Sequence, residues 1–218
     1  MPTRQRGSAE AARLSAHPGL SFLPRLLVGQ ARLATFDKGD ILFRVGDHPE
    51  VLYFVFDGEL VLVRHSRNGQ EVVLQRTHTG FFAEASIESR RYHCDGVAKE
   101  KSRVCLLPAE AFRQTLASDP SFRAAWIQLL AGQIRSLRTR CERLVLRSVE
   151  ERIVHYIESE GSNGAIALDR SLKAWALDLG VTHEALYRAL ARMTRSGLLT
   201  RGDRHLRLAG AKGEDKLA

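Results

Sequence analysis

The stretch Leu172–Met193 has the sequence LKAWALDLGVTHEALYRALARM. Four apolar residues of its first half recur at steps of three and four, which predicts a helix with one buried face. They are Leu172, Trp175, Ala176 and Leu179. Gly180 can adopt the left-handed conformation that ends a helix, and Thr182 is a hydroxyl N-cap for a second helix. The stretch therefore predicts two helices joined by a tight turn, which is a helix-turn-helix.

The second of these helices has an apolar face and a polar face. The apolar residues are Ala185, Leu186, Ala189, Leu190 and Met193. The first turns of the polar face are the part of such a helix that contacts base edges in a DNA major groove. We expect five residues to lie at that contact: Thr182, His183, Glu184, Tyr187 and Arg188.

A short basic hairpin follows the second helix. Gly197 ends the helix, 198–200 and 205–208 are strand-like, and the RGDR segment between them is turn-like. Six arginines and one acid lie between Leu186 and Leu208, and guanidinium groups bind phosphate oxygens well. This pattern predicts a DNA-binding wing, with a solvated basic hairpin as the alternative. It adds Arg192, Arg201 and Arg204 to the predicted DNA-binding residues.

The net charge of the sequence also indicates a polyanionic partner. The 218 residues carry a formal net charge of +8, which favours nucleic acid or an anionic membrane. No apolar run approaches the ~18 residues of a membrane span, and no hydrophobic signal core follows the basic start. The cysteines, at 94, 105 and 141, are widely separated, which is consistent with a reducing compartment. We therefore expect a cytoplasmic protein without a membrane partner.

A long helix is predicted for residues 118–147, with an apolar residue at steps of three and four. These residues, which we call the seam, are Ile127, Leu130, Ile134, Leu137, Cys141 and Leu144. Such a narrow stripe with flanking arginines is typical of a parallel two-stranded coiled coil, although the helix could instead pack only on its own chain. Ser148 and Glu151 form a capping box that starts a new helix. We therefore expect a homodimer, with a hinge near Arg147–Ser148.

Short β-rich runs separated by glycine turns occupy residues 34–107. Turns recur every seven to twelve residues, which indicates an antiparallel barrel or roll able to enclose one small ligand. The runs 51–56 and 60–63 are separated by Asp57-Gly58, which predicts a two-residue hairpin between them.

Four motifs occur in a characteristic order. They are FDKGDILF at 36–43, LYFVFDGEL at 52–60, GFFAE at 80–84 and LGVTHEALYR at 179–188. On these motifs the chain, over about residues 20–209, resembles the cyclic-AMP receptor protein and fumarate-nitrate regulator (Crp/Fnr) family of bacterial transcription factors.

The resemblance implies an α+β fold: an N-terminal antiparallel β-roll of the cyclic-nucleotide-binding type, a long dimerisation helix and a C-terminal winged helix-turn-helix. The expected domains are a flexible N-terminus at 1–19, an effector-sensing β-roll at 20–117, a dimerisation helix at 118–147, a DNA-binding domain at 148–210 and a disordered tail at 211–218.

The resemblance also implies a function. Family members present a Glu and an Arg four residues apart to a TGA-type half-site, and Glu184 and Arg188 match that pair. A carboxylate can accept from cytosine N4, and arginine can donate to guanine O6 and N7. We expect a dimeric regulator that recognises an inverted repeat with TGA-like half-sites under control of the β-roll, with RNA polymerase as a further partner. The chain carries no recognisable catalytic motif, so we do not expect an enzyme.

The effector site departs from the family pattern. Nucleotide-binding members hold the cyclic phosphate with an Arg-Ser or Arg-Thr pair, which would fall here on Tyr92-His93. Loss of that charge-assisted clamp argues against cyclic AMP. An iron-sulfur cluster needs about four cysteines and is not expected. The effector-binding candidates are Glu84, Arg90, Arg91, Tyr92 and His93.

Several interpretations of this cassette, residues 84–94, stay open. His93 and Cys94 could bind a metal ion or haem, although adjacent strand residues point to opposite faces. Cys94 could be a redox thiol whose pKa is lowered by Arg90, Arg91 and His93. The segment could also be structural, or bind a nucleotide or other anion. The alternative functions are a metal, haem or redox sensor whose DNA binding is secondary, and a basic dimerising scaffold that binds DNA without selectivity.

Overall fold

The computed structural model describes residues 14, 16–66, 68–69, 71–168, 171–202 and 205–210. The chain divides into two compact units, Met1–Gln128 and Leu129–Ala218. Arg204, the tail at 211–218 and most of the N-terminal segment lie outside the described residues, so the predictions made for them stay predictions.

The first unit is built from antiparallel strands. Its strands are β1 Arg32–Phe36, β2 Ile41–Phe43, β3 Val51–Asp57, β4 Leu60–His65, β5 Glu71–Thr77, β6 Gly80–Phe82, β7 Asp95–Ala98 and β8 Ser102–Pro108. Within the described residues they form two four-stranded sheets, with the orders β1-β8-β3-β6 and β2-β7-β4-β5. The predicted α+β fold with an N-terminal antiparallel roll is confirmed.

The hairpin predicted at Asp57-Gly58 is wrong. Strand β3 pairs with β6 and β8, whereas β4 pairs with β5 and β7, so the turn carries the chain from one sheet to the other. Gly58 has φ +99°, and a Cβ there would lie 2.3 Å from Ser102 Oγ. The glycine is needed for this close approach, and the Asp-Gly signal specified a turn without specifying which strands pair. The hairpin next in the chain joins β4 to β5, around Asn68-Gly69.

Aromatic side chains fill the space between the two sheets. The rings of Phe43 and Tyr92 stack with centroids 3.6 Å apart. Tyr53 and Phe82 lie beside them, with ring centroids 5.6 and 6.1 Å from that of Phe43. All four side chains are buried. This burial supplies the hydrophobic stabilisation that holds the sheets face to face.

Helices flank the roll and lead out of it. They are α1 Arg25–Val28, α2 Ala109–Ser118 and the long helix α3 Pro120–Val145, with short 3₁₀ turns at Pro18–Leu20 and Glu84–Ser86. Asp119 Oδ1 accepts hydrogen bonds from the backbone N–H groups of Ser121 and Phe122, which caps the start of α3. The ring of Trp126 packs 4.8 Å from Phe112 and 5.0 Å from Phe81, anchoring this end of α3 to the roll.

The second unit contains the rest of α3 and a small winged domain. Its further elements are α4 Val149–Glu160, β9 Ala165–Ala167, α5 Leu172–Asp178, α6 His183–Arg195, β10 Leu199–Arg201 and β11 His205–Leu208. The strands pair in the order β10-β11-β9. Ser148 and Glu151 form the predicted capping box at the start of α4. Among the described residues, no helix combines the length and apolarity needed to cross a membrane.

Candidate nucleic-acid interface and sensor cassette

The helix-turn-helix is formed by α5 and α6. Ser171 Oγ accepts a hydrogen bond from the Ala174 N–H at 3.2 Å and caps α5. Gly180 has φ +65° in the turn, the left-handed conformation that ends a helix without a Cβ penalty. Thr182 Oγ1 accepts from the Ala185 N–H at 3.2 Å and caps α6. The predicted Thr182 cap and Gly180 therefore fix the start of α6, and the Ser171 cap adds to this an interaction that was not predicted.

One face of α6 is buried and the other is exposed. Its buried residues are Leu186, Ala189, Leu190 and Met193, which join a core that includes Trp175 of α5. Its exposed first turns bring together His183, Glu184, Tyr187 and Arg188. These are the residues expected to contact base edges. The capped helix end and its buried face hold them on a rigid element, which a recognition surface requires.

A chain of aromatic and cation–π contacts connects α6 to the wing. The rings of His183 and Tyr187 meet edge to face at 4.8 Å. The Arg201 guanidinium of β10 lies over the Tyr187 ring at 5.7 Å from its centroid, within cation–π range. All three residues were expected to bind DNA, but their contact with one another was not predicted. The spacing of His183 and Tyr187 by one helical turn was the available signal.

Glu184 is ionised over a wider pH range than an ordinary glutamate. The backbone amide of Glu184 itself and the Thr182 hydroxyl donate to its carboxylate, and these hydrogen bonds lower its pKa from the ordinary 4.5. An ionised carboxylate is an acceptor only. At this position it can therefore accept a hydrogen bond from a base amino group.

Arg192 of α6 forms an ion pair with α4. Its Nε donates to Glu150 Oε1 of α4 at 2.8 Å, and its Nη2 makes a second contact with the same oxygen. The pKa of Glu150 is lower than the ordinary 4.5. Burial is the largest single effect and raises this pKa, but the hydrogen bond from Arg192 and other interactions lower it by more in total. The guanidinium predicted to contact DNA is thus held by α4. The Arg192 side chain is still 57% exposed, and its Nη1 group is not used in this ion pair.

The acidic residue of the cassette is buried and already has a partner. Glu84 lies in the 3₁₀ turn after β6, and its Oε2 accepts a hydrogen bond from Gln75 Nε2 at 3.1 Å. Its carboxylate is therefore held from β5, which belongs to the other sheet. A ligand hydroxyl at Glu84 would share the carboxylate with that amide.

Tyr92, a predicted effector residue, belongs to the roll interior. Its hydroxyl donates to the Val51 carbonyl at 3.3 Å, and burial raises its pKa well above the ordinary range. Burial also raises the pKa of the neighbouring Tyr53 to about 12. Tyr92 is therefore a packed core residue rather than an exposed ligand contact.

The cationic members of the cassette are exposed and scattered. Arg91 Nη1 donates to the Gly46 carbonyl at 2.7 Å. Arg90 lines a surface cleft of about 470 Å³ whose other charged residues are His48, Glu50, Glu88, Glu110 and Arg113. His93 is exposed, while Glu84 and Tyr92 are buried. The five candidates therefore do not converge on one binding site.

His93 and Cys94 lie on opposite sides of their segment, one exposed and one buried. In the described part of the chain, no group of three or more His, Cys, Asp or Glu side chains is arranged to hold a metal ion. Burial raises the pKa of the Cys94 thiol, and this effect exceeds the lowering by Arg64. The predicted lowering of the Cys94 pKa is wrong, because the sequence does not show how far a side chain is buried.

The seam of α3 is solvent-exposed in the single chain. The exposed fractions of its larger residues are 58% for Ile127, 51% for Ile134, 56% for Leu137 and 54% for Leu144. Leu130 is half-buried, and Cys141 is exposed. A continuous apolar stripe of this kind is typical of a surface that a second helix covers.

Comparisons with known proteins cover both units. The family model of the Cyclic nucleotide-binding domain matches residues 33–119. The Fumarate and nitrate reduction regulatory protein of Salmonella typhi is 26% identical over an alignment of 182 residues, and the match covers 77% of this chain and 71% of that protein.

Solved structures have the same fold. FixK2 from Bradyrhizobium japonicum aligns with a TM-score of 0.59 and 20% identity over 83% of this chain and 93% of its own. The c-di-GMP responsive global regulator CLP of Xanthomonas campestris aligns with a TM-score of 0.54 and 20% identity over 87% of this chain and 99% of its own.

Proposed function

We propose that this chain is a transcriptional regulator of the Crp/Fnr family, and that it acts as a homodimer that binds an inverted repeat in double-stranded DNA. Regulators of this family bind DNA and act as dimers, and the relatives of the chain are regulators rather than enzymes. We further propose that the protein is cytoplasmic and that RNA polymerase is its partner at promoters.

The observation that carries this proposal is the pair Glu184 and Arg188 on the exposed face of α6. The two residues are one helical turn apart, and the opposite face of the helix is buried in the domain core. A carboxylate that accepts from cytosine N4 and a guanidinium bidentate to guanine each contribute about 1–3 kcal/mol of base discrimination. This pair suits a TGA-like half-site, in which a G·C pair supplies both partners.

Dimerisation places two such helices on one duplex. A two-fold dimer spaces its recognition helices by about one turn of DNA, so the site is an inverted repeat. The exposed seam supports this arrangement, because Ile134, Leu137 and Leu144 would be covered by the partner helix. Arg201 of the wing would then bind phosphate beside each half-site, together with Arg204.

Regulation by cyclic AMP is not part of the proposal. The Arg-Ser or Arg-Thr pair is absent from the cassette, and Tyr92, which occupies one of its two positions, is buried in a stack with Phe43. A metal ion or haem held by His93 and Cys94 together does not fit either, because the two residues lie on opposite sides of their segment. An iron-sulfur cluster needs about four cysteines, and the sequence has three. We propose that the cassette is mainly structural and that any effector binds outside the aromatic interior.

Selection of binding sites from a random DNA pool, with purified full-length protein at physiological salt, tests this function. We expect enrichment of an inverted repeat with TGA-like half-sites, and loss of enrichment for Arg188→Ala. Lys173→Ala is the matched control, because Lys173 is an exposed cation on α5 rather than α6. Unselective binding would overturn the proposal in favour of a basic scaffold. Repeating the selection in reducing, oxidising and metal-loaded buffers tests the sensor alternatives.

A further inference from the structure

One arginine side chain joins three parts of the second unit. Among the described residues, Arg152 of α4 donates five hydrogen bonds, of 3.1–3.2 Å, to four backbone carbonyls. Two carbonyls, those of Leu144 and Leu146, lie at the end of α3 and just after it. The other two, those of Leu179 and Gly180, lie in the turn between α5 and α6.

These carbonyls suit a guanidinium. The last carbonyls of a helix have no partner within the helix and carry its partial negative charge. The Leu144 carbonyl is one of these, and the Leu179 carbonyl follows α5 in the same way. The planar guanidinium can serve both helix ends at once because its N–H groups diverge in a fixed fork, which an ammonium cannot reproduce.

Side chains bring the same segments together. A Cβ on Gly180 would lie 2.6 Å from Cδ2 of Leu144, so the end of α3 packs directly on the turn. One residue earlier, the buried Arg143 donates to Ser159 Oγ and Glu160 Oε1 of α4, each at 3.1 Å. The connection at 146–148, where a hinge was expected, is therefore braced by Arg143, which precedes it, and by Arg152, which follows it.

The seam residues from Leu130 onward and the recognition helix α6 lie in the same unit. Seam residues Ile134 to Leu144 precede the braced connection, and α6 begins at His183, three residues after Gly180. Rigid attachment of the end of α3 to the turn before α6 fixes the direction of α6 relative to the seam. In a dimer formed through the seam, that direction sets the distance and rotation between the two recognition helices.

We infer that Arg152 is a positioning residue that sets the half-site spacing which the dimer accepts. Arg152 contacts backbone carbonyls rather than DNA, so its effect is on geometry and not on base contacts. This inference rests on the proposed function, because it requires a dimer on an inverted repeat. It assigns spacing selectivity to a side chain that does not belong to the DNA-binding surface.

The test measures affinity for a set of duplexes that differ in spacing alone. Each carries the selected inverted repeat with its half-sites at the natural separation, or one or two base pairs closer or farther apart. Two added base pairs rotate one half-site by roughly 70° around a duplex of about 10.5 base pairs per turn. We expect the wild-type protein to bind the duplexes offset by two base pairs about tenfold more weakly than the natural one.

Two variants remove the brace. In Arg152→Gln we expect the penalty for an offset of two base pairs to fall to about threefold or less. Arg152→Lys keeps the charge but presents a single point donor, so we expect it to behave like Arg152→Gln. Arg147→Gln, which removes an exposed charge in the same connection, is the matched control and should keep the tenfold penalty. Thermal melting and solution mass establish that each variant is folded and dimeric.

Three results would overturn the inference. The first is a wild-type protein that accepts all spacings equally, a result that needs no variant. The second is a folded Arg152→Gln or Arg152→Lys protein with undiminished spacing selectivity. The third is an equal loss of affinity at every spacing. That result would show that Arg152 stabilises the DNA-binding domain without setting the spacing of the half-sites. Failure of the proposed function is distinguishable, because the wild-type protein would then enrich no inverted repeat.

Discussion

The guanidinium of Arg143 lies over the ring of Tyr156, 4.4 Å from its centroid, although the side chain of Arg143 is only 1% exposed. It also forms an ion pair with Glu160 at 3.1 Å. A buried guanidinium is stable only where a ring and hydrogen-bond acceptors replace its lost hydration. The contact between Arg143 and Tyr156 fixes the end of α3 to the last turns of α4.

Replacement of Arg143 by alanine should destabilise the second unit. We expect Arg143→Ala to lower the free energy of unfolding by about 2 kcal/mol, through loss of the packed side-chain stem and its hydrogen bonds. Urea unfolding followed by tryptophan fluorescence measures the change, and exposed Arg138→Ala is the control. A change below about 0.5 kcal/mol, the range of ordinary surface substitutions, would contradict the expected role.

Arg188 and Glu184 should contribute base discrimination rather than general affinity. We expect Arg188→Ala to weaken binding to the selected site by about 1–3 kcal/mol and to relax the preference for guanine at one position. Glu184→Gln should relax the preference at the paired cytosine. Competition titrations against single-base variants of the site measure both effects. A uniform loss of affinity for all sequences would show that these side chains contact phosphate instead.

The Glu150–Arg192 ion pair should make stability depend on pH. The pKa of Glu150 is lower in the folded protein than the ordinary 4.5, so the stabilising contribution is complete above 4.5 and is lost as the pH falls through the lower folded value. We expect Glu150→Gln to lower the melting temperature near neutral pH and to leave it almost unchanged well below pH 4.5. Thermal melts at several pH values provide the measurement. An equal difference at every pH would exclude the ionised carboxylate as the cause.

Cys94 should be unreactive in the folded protein. Its thiol is buried and its pKa is raised by burial, so little thiolate is present near neutral pH. We expect brief treatment with iodoacetamide to leave Cys94 unmodified in the native protein and to modify it fully after unfolding in guanidinium. Peptide mass spectrometry resolves it from Cys105 and Cys141. Rapid alkylation of native Cys94 would restore the redox-sensor interpretation.

Tyr92 should act as a core residue. Removal of its ring in Tyr92→Ala should cost about 3–5 kcal/mol, the usual range for a large buried aromatic side chain. Tyr92→Phe keeps the stack on Phe43 and loses the hydrogen bond to the Val51 carbonyl, at a cost of about 1 kcal/mol. Chemical unfolding of the two variants separates these contributions. A stable Tyr92→Ala protein with new ligand affinity would instead identify Tyr92 as a gate to the roll interior.

Local signals in the sequence determined much of the DNA-binding unit. Helix periodicity, the Thr182 cap, Gly180 and the Ser148–Glu151 capping box are interactions between residues a few positions apart, so spacing alone predicts them. The exposed position of Glu184 and Arg188 followed from the same periodicity. The family resemblance rested on motifs of about five to ten residues, which are also local signals. It led to the correct order of roll, long helix and winged domain.

Only the tertiary structure decided which distant residues meet. Strand pairing across Asp57-Gly58, the burial of Cys94 and the ion pair of Arg192 all depend on contacts between elements far apart in the chain. The brace formed by Arg152 belongs to this group, because its acceptors at Leu144 and Gly180 lie on either side of α4 in sequence. Burial and long-range hydrogen bonding are properties of the packed chain, whereas caps, turns and periodicity are properties of short segments.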